Sequence, residues 1–170
     1  KRTKIKQVLF GGAQERKLRP GTENLPGIVG LGRAIELAVT DMEAKSAYLE
    51  GLRNRLIKGL LEIEGIRLNG HPQKRLPGNV NVSVLYIEGE SLLLNLDLKG
   101  IAVSSGSACT SGSLDPSHVL LAIGLDHQTA QGSVRLTLGS DNTVEDIDYT
   151  VEAVKEITER LRKISPVYKK

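Results

Sequence analysis

The chain has 170 residues, which is the length of one ordinary domain with room for a short additional segment. Hydrophobic residues make up 39% and charged residues 25%, as is usual for a soluble globular protein, and no apolar run approaches the roughly 18 residues of a membrane span. Aromatic residues make up only 3%, and the formal charge of +3 is concentrated near the two ends; solvated termini explain it better than direct nucleic-acid binding.

The first 65 residues predict a short strand, a loop and a long helical segment. Residues 5–10 predict the strand, and residues 11–24 predict a loop rich in Gly, Arg and Pro. After Pro26, apolar residues recur at steps of three or four as far as Ile63, which is helical periodicity. A continuous helix from about 25 to 65 would be ~60 Å long, so we expect it to bridge two bodies or to break near Ala44.

The remaining residues predict an α/β domain with helices packed against a small sheet. Strict alternation predicts strands at 79–86 and 133–138, and shorter strands are expected at 66–69 and 101–103. Helices are expected at 90–97, from Asp115 and Pro116 to Gly124, and from the box-like cap Thr143–Asp146 to about Lys163.

The cysteine count indicates the compartment and argues against a metal site. Cys109 is the single cysteine, so no internal disulfide can form, and a reducing cytoplasm fits. The three histidines have no ligand-like spacing to one another or to Cys109, so no metal site is expected. The sequence begins without Met, in a basic segment that lacks a signal-peptide cleavage site, so we expect a fragment of a longer protein.

The segment SSGSACTSGS, residues 104–113, places Cys109 among small polar residues. A free cysteine is usually a buried and inert hydrophobic residue. These neighbours offer no apolar packing, which favours an exposed and reactive thiol. Nothing adjacent in the sequence lowers its pKa; that would need a helix N-terminus, a cation or a partner base.

Two further segments contain possible binding residues. Arg135 interrupts an apolar strand pattern in GSVRLTLGS, so it either lies on a solvated face or is buried with an anionic partner. A guanidinium suits a carboxylate partner, which it can bind through two parallel hydrogen bonds. In ERKLRPGTEN, residues 15–24, the Gly-Thr step before a helix could hold a phosphate, although an ordinary helix cap has the same appearance.

Taken together, these segments resemble one enzyme family. GGAQERKLRPGTEN, LPGNVNVSV, IEGESLLLNLDLKGIAVSSGSACTSGSLDPSHVL and SVRLTLG are similar, in this order, to the C-terminal part of the NifS/IscS-type cysteine desulfurases of the class V aminotransferase family. The resemblance extends over residues 5–167. It implies the small domain of a fold-type I, pyridoxal-phosphate-dependent transferase.

The resemblance also implies an activity and site residues. Members of the family convert L-cysteine to L-alanine and pass the sulfur to acceptors such as an iron–sulfur scaffold protein or the tRNA thiolation pathway. By resemblance, Cys109 is the nucleophile that holds the persulfide, and Arg135 binds the substrate carboxylate. Thr22 is similar to the threonine that reaches the cofactor phosphate in the neighbouring subunit of a homodimer.

The same resemblance predicts a domain division and an incomplete active site. Residues 1–24 would be a remnant of the large domain, 25–65 the connecting helix or helices, and 66–170 the small domain with the active-cysteine loop at 104–114. The family's cofactor-binding lysine belongs to the missing large domain, and Lys17, Lys99 and Lys155 do not stand in its motif. We therefore expect the isolated chain to be inactive.

Two alternatives to an enzyme segment remain from the sequence alone. The chain could be a non-catalytic module that relays sulfur on Cys109 or docks on a scaffold. A small domain of another fold-type I aminotransferase is less consistent with the sequence, because aminotransferases do not need the cysteine loop.

Overall fold

The computed structural model describes residues 3–105, 116–165 and 168. The chain forms two compact units, Lys1–Met42 and Glu43–Lys170. The predicted division into a large-domain remnant at 1–24, a connecting segment at 25–65 and a small domain at 66–170 stays a prediction.

The first unit contains a short turn and one regular helix. α1 (Gln14–Lys17) is a single turn in which Glu15, Arg16 and Lys17 have positive φ, so it is left-handed rather than a true α-helix. α2 (Leu25–Thr40) begins after Asn24, whose side-chain oxygen accepts a hydrogen bond from the Gly27 N–H. The strand predicted at 5–10 is wrong: within residues 3–42 there is no strand, and a strand needs a neighbour for its backbone hydrogen bonds.

The predicted long helix is two helices. α2 ends at Thr40, and α3 (Met42–Leu61) begins two residues later. Asp41 has φ −117° and ψ 21°, outside the helical region, so the helical hydrogen-bond ladder is interrupted there. The interruption lies three residues before Ala44, where we expected it.

The apolar residues of α2 are exposed in the described structure. None of its residues is buried, and more than half of the surface of each large aliphatic side chain is accessible: Leu25, Ile28, Val29, Leu31, Ile35, Leu37 and Val39. The periodicity therefore indicates a helix correctly, but nothing described buries its apolar side chains. No helix in the described part of the chain combines the length and apolar character of a membrane span.

The second unit is built on a four-stranded antiparallel sheet. Its strands are β1 (Ile66–Leu68), β2 (Asn79–Val84), β3 (Ser104–Ser105) and β4 (Ser133–Thr137), in the order β1-β2-β4-β3. The two long alternating segments therefore form the central strands β2 and β4, each of which has a neighbouring strand on both sides. The strand predicted at 101–103 lies at 104–105 instead, because pairing with β4 begins only there.

One face of this sheet forms one side of the hydrophobic core. Val80, Val82 and Val84 of β2 are almost fully buried, as are Val134 and Leu136 of β4. Three helices cover this face: α3, α4 (Gly89–Asp97) and α7 (Val144–Ile164). They contribute a row of core residues, namely Leu52, Leu56, Leu60, Leu92, Leu96, Ile147, Ala153, Val154 and Ile157.

The segment between β3 and β4 differs most from the prediction. α5 (His118–Ala122) begins after Ser117, so Pro116 precedes the helix, while the predicted cap Asp115 lies outside the described residues. A further helix, α6 (His127–Gln131), was not predicted. Its N-cap Asp126 accepts a hydrogen bond of 2.8 Å from the Thr129 N–H, and this bond holds the pKa of Asp126 below its ordinary value.

The last helix has the predicted start. The Thr143 side chain accepts a hydrogen bond from the Asp146 N–H, and the Asp146 carboxylate accepts one from the Thr143 N–H. This capping box satisfies two of the N–H groups that a helix start leaves unpaired.

The core predicts the effect of shortening one α3 side chain. Leu56 is fully buried, so Leu56→Ala should lower the free energy of unfolding by about 2–5 kcal/mol through lost burial and a residual cavity. Leu61→Ala is the matched control, since Leu61 lies in the same helix and is 46% exposed. Urea unfolding measures both variants, and equal effects would contradict the described burial of α3.

An exposed ion pair between α3 and α7 predicts a pH dependence. The Arg55 Nε and Nη2 groups donate to the two Asp148 oxygens at 2.6 and 2.8 Å, which lowers the pKa of Asp148. The stabilisation is therefore present above the unfolded-state pKa of Asp148 and is lost as the pH falls through its lower folded-state pKa. In the Asp148→Asn variant, the free energy of unfolding, measured with urea, should therefore fall less steeply as the pH is lowered. The effect should be modest, because both side chains are about half exposed.

The matched control for this pair is Asp141→Asn, which changes an exposed carboxylate outside the helices. It should leave the acid-side slope close to that of the unaltered chain. An Asp148→Asn variant with the full pH dependence would show that the ion pair contributes nothing measurable.

Candidate functional site

The three predicted site residues fall in different parts of the chain. Arg135 lies in β4 of the second unit, and Thr22 lies in the first unit, just before α2. Cys109 lies between residues 106 and 115, outside the described residues. The structure therefore gives a local environment for Arg135 and for Thr22, each by itself.

Arg135 lies in a row of polar residues across the sheet. It pairs with Asn81 of β2 on one side and with Ser104 of β3 on the other. Because side chains alternate along a strand, these three residues share the face opposite the hydrophobic core. The alternation in the sequence predicted the polar position of Arg135, but not its neighbours.

The Arg135 guanidinium has one side-chain hydrogen bond within the described structure. Its Nη2 donates to the Ser104 Oγ at 3.3 Å, and the residue is exposed. No described carboxylate forms an ion pair with it, in contrast to Arg33, Arg53 and Arg55, which pair with Glu36, Glu50 and Asp148. A guanidinium with this exposure can accommodate an incoming anion in the bidentate geometry that carboxylates favour.

Asn81 is held by hydrogen bonds on the side away from Arg135. The Asn69 Nδ2 donates to the Asn81 Oδ1 at 2.8 Å and to the Ser83 Oγ at 2.9 Å. Asn69 is 4% exposed and Ser83 is fully buried. The alternation over residues 79–86 is sufficient to place Asn81 and Ser83 on the polar face of β2, but Asn69 has no periodic signal around it in the sequence.

The segment before α2 leaves the Thr22 hydroxyl open. The Thr22 carbonyl oxygen accepts a hydrogen bond of 3.2 Å from the Arg19 Nη1 group, and Asn24 provides the helix cap. The hydroxyl has no hydrogen-bond partner among the described residues. A helix cap and a phosphate site are therefore compatible in this segment, because Asn24 provides the cap and Thr22 would contact the phosphate.

The lysines weighed in the sequence have ordinary surroundings. The Lys99 Nζ lies 2.6 Å from a Glu156 oxygen, which lowers the pKa of Glu156. Lys17 and Lys155 are exposed. In the described ranges, no group of three or more His, Cys, Asp and Glu side chains is arranged to hold a metal ion.

Comparison of the sequence with known proteins identifies relatives over almost the whole chain. The chain is 58% identical over 167 residues to "Cysteine desulfurase IscS" of Methanosarcina thermophila, covering 98% of this chain and 41% of that protein. It is 54% identical over 168 residues to "Cysteine desulfurase IscS" of Clostridium botulinum strain Hall, covering 97% and 42%. The chain thus spans about two-fifths of the length of these curated relatives.

Solved structures show the same fold. A structure titled "NIFS-LIKE PROTEIN" superposes with a TM-score of 0.80 at 38% identity, covering 92% of this chain and 40% of that one. A NifS-like protein from Rickettsia africae gives a TM-score of 0.81 at 30% identity, covering 92% and 41%. The fold is therefore the predicted α/β arrangement of a NifS-like, fold-type I transferase. The profile of the family "Aminotransferase class-V" matches residues 3–150, so this chain belongs to the class-V aminotransferase family.

Proposed function

We propose that this chain is the C-terminal segment of a cysteine desulfurase. The complete protein would convert L-cysteine to L-alanine and pass the sulfur, as a persulfide on Cys109, to acceptors for iron–sulfur cluster assembly or tRNA thiolation. The observation that supports this most directly is the exposed Arg135 guanidinium, which has no carboxylate partner among the described residues and lies beside Ser104, the first residue of the cysteine segment. The names of the most similar relatives agree with it.

Arg135 would bind the substrate carboxylate. Its position in a central strand fixes the backbone, while the polar face leaves the guanidinium accessible. A two-point contact with a carboxylate orients the amino acid as well as binding it. A lysine at this position would keep the charge but lose the planar fork.

Cys109 would accept the sulfur. Its thiolate attacks the sulfur of the bound L-cysteine, the carbon–sulfur bond of the substrate breaks, and a sulfur–sulfur bond forms on Cys109. A proton replaces sulfur on the substrate carbon, which gives L-alanine, so atoms and electrons balance without an external oxidant. Cys109 follows Ser104 by five residues, and five residues reach at most about 18 Å, so the sequence keeps it within range of the Arg135 region.

Pyridoxal phosphate would supply the electron sink that makes the bonds of the amino acid labile. The described residues are compatible with the cofactor phosphate, because the Thr22 hydroxyl has no described hydrogen-bond partner and the Arg19 guanidinium bonds to the Thr22 carbonyl oxygen. Thr22 would contact the phosphate of the cofactor bound in the neighbouring subunit of a homodimer. The cofactor-binding lysine would come from the large domain, and a reducing cytoplasm would keep the Cys109 thiol free.

Replacing the thiol tests the role of Cys109. In the full-length protein, Cys109→Ser should abolish alanine formation and persulfide labelling, at least about a hundredfold below the unaltered enzyme, since a hydroxyl cannot accept sulfur. Amino-acid analysis and a persulfide-selective alkylating probe measure both. The matched control combines Cys109→Ser with Ser140→Cys, which restores one thiol on an exposed loop and should restore neither signal. Persulfide transfer in the Cys109→Ser variant would overturn this role.

The chain by itself should be inactive. When it is mixed with pyridoxal phosphate and L-cysteine, we expect no absorption band of a lysine-bound cofactor and no alanine above a sample that lacks the chain. The full-length protein is the positive control. Alanine production by the isolated chain would contradict the proposal that the lysine lies outside it, while sulfur relay from a second enzyme to Cys109 without turnover would favour a non-catalytic module.

A further inference from the structure

The Arg135 side chain is oriented by one described side chain, Ser104. We propose that Ser104 is a positioning residue for Arg135, an inference that rests on the proposed function. The Ser104 Oγ accepts a hydrogen bond of 3.3 Å from the Arg135 Nη2, and the two residues are register partners across β3 and β4. The sequence separation of 31 residues makes this a tertiary contact rather than a local one.

The direction of the Ser104 hydroxyl suits this role. Its proton points to the Ser105 carbonyl oxygen, at an oxygen–oxygen distance of 3.3 Å. The lone pairs of the hydroxyl are then free to accept the Arg135 N–H, and each of the two bonds polarises the other favourably. The guanidinium has five N–H donors, so one bond to Ser104 leaves a pair for a carboxylate.

The opposite neighbour does not duplicate this contact. Asn81 pairs with Arg135 across β2 and β4, but its Oδ1 accepts the Asn69 amide instead. In the described structure, Ser104 is therefore the side chain that restrains the guanidinium. Without the Ser104 hydrogen bond, the exposed Arg135 side chain would have more conformational freedom before the substrate binds. Part of that freedom would then be lost on binding, which weakens the affinity for the substrate.

Steady-state kinetics of the full-length enzyme with L-cysteine tests this proposal. A carboxylate contact persists from the ground state to the transition state, so Ser104→Ala should raise KM about fivefold and change kcat less than about twofold. Ser104→Thr retains the hydroxyl on a residue that suits a strand and should recover most of the KM. Ser105→Ala is the matched control, because the neighbouring residue pairs with Val134 and points to the other face.

A double-mutant cycle with Arg135→Lys separates positioning from a structural effect. If Ser104 acts through the guanidinium, Ser104→Ala should change KM by less than about twofold in the Arg135→Lys background. An equal rise in KM in both backgrounds, or a rise with Ser105→Ala as large as that with Ser104→Ala, would overturn the proposal.

The same measurements distinguish this proposal from the proposed function. If Arg135→Lys leaves KM unchanged, the carboxylate-binding role of Arg135 itself is wrong. If Arg135→Lys raises KM at least about tenfold and Ser104→Ala leaves it unchanged, the role of Arg135 stands and that of Ser104 is wrong.

Discussion

The antiparallel pairing of β2 with β4 determines both how the core of the second unit is buried and where Arg135 lies. Five residue pairs join the two strands, from Asn79 with Thr137 to Ser83 with Ser133. The same register that buries Val80, Val82, Val134 and Leu136 directs Arg135 to the opposite face. Burial of apolar side chains on one face thereby fixes a charged side chain on the other.

This arrangement separates folding from chemistry. The core consists of aliphatic side chains from α3, α4, α7 and the two central strands, and neither Arg135 nor Thr22 belongs to it. Arg135 is exposed and has no ion pair in the described structure, so its guanidinium can serve ligand binding without leaving a buried charge unpaired. Arg53, by contrast, is only 4% exposed. Its guanidinium bonds to Asn54 and to the Leu76 carbonyl oxygen, so this arginine is held within the fold rather than open to a ligand.

The first unit has a different physical character. Its helix α2 is rich in aliphatic residues, yet none of its residues is buried in the described structure. A helix of this kind is normally covered by another part of a protein. The chain spans 41% of the length of a relative named cysteine desulfurase, and the proposed function assigns the cofactor lysine to the large domain and the phosphate contacted by Thr22 to the neighbouring subunit.

Local patterns in the sequence were sufficient for the main elements and the family. The alternation around Val82 and Val134, the helical periodicity after Thr143 and its capping box, and the motifs around Thr22, Cys109 and Arg135 are all readable without coordinates, because each depends on residues close in sequence. The same reasoning failed where pairing decides the structure. Residues 5–10 were expected to form a strand but have no strand partner in the described structure, and the edge strand forms at Ser104–Ser105 rather than at 101–103.

The surroundings of Arg135 could not be obtained from the sequence. Its neighbours Asn81 and Ser104 lie 54 and 31 residues away, and only the strand order β1-β2-β4-β3 and its register bring them together. The sequence by itself determined which residues of the two central strands face the core, which face the opposite side, and which motif contains the thiol. The tertiary structure decided which hydroxyl bonds to the arginine and which charges stay unpaired, because both depend on distances between strands that no local pattern encodes.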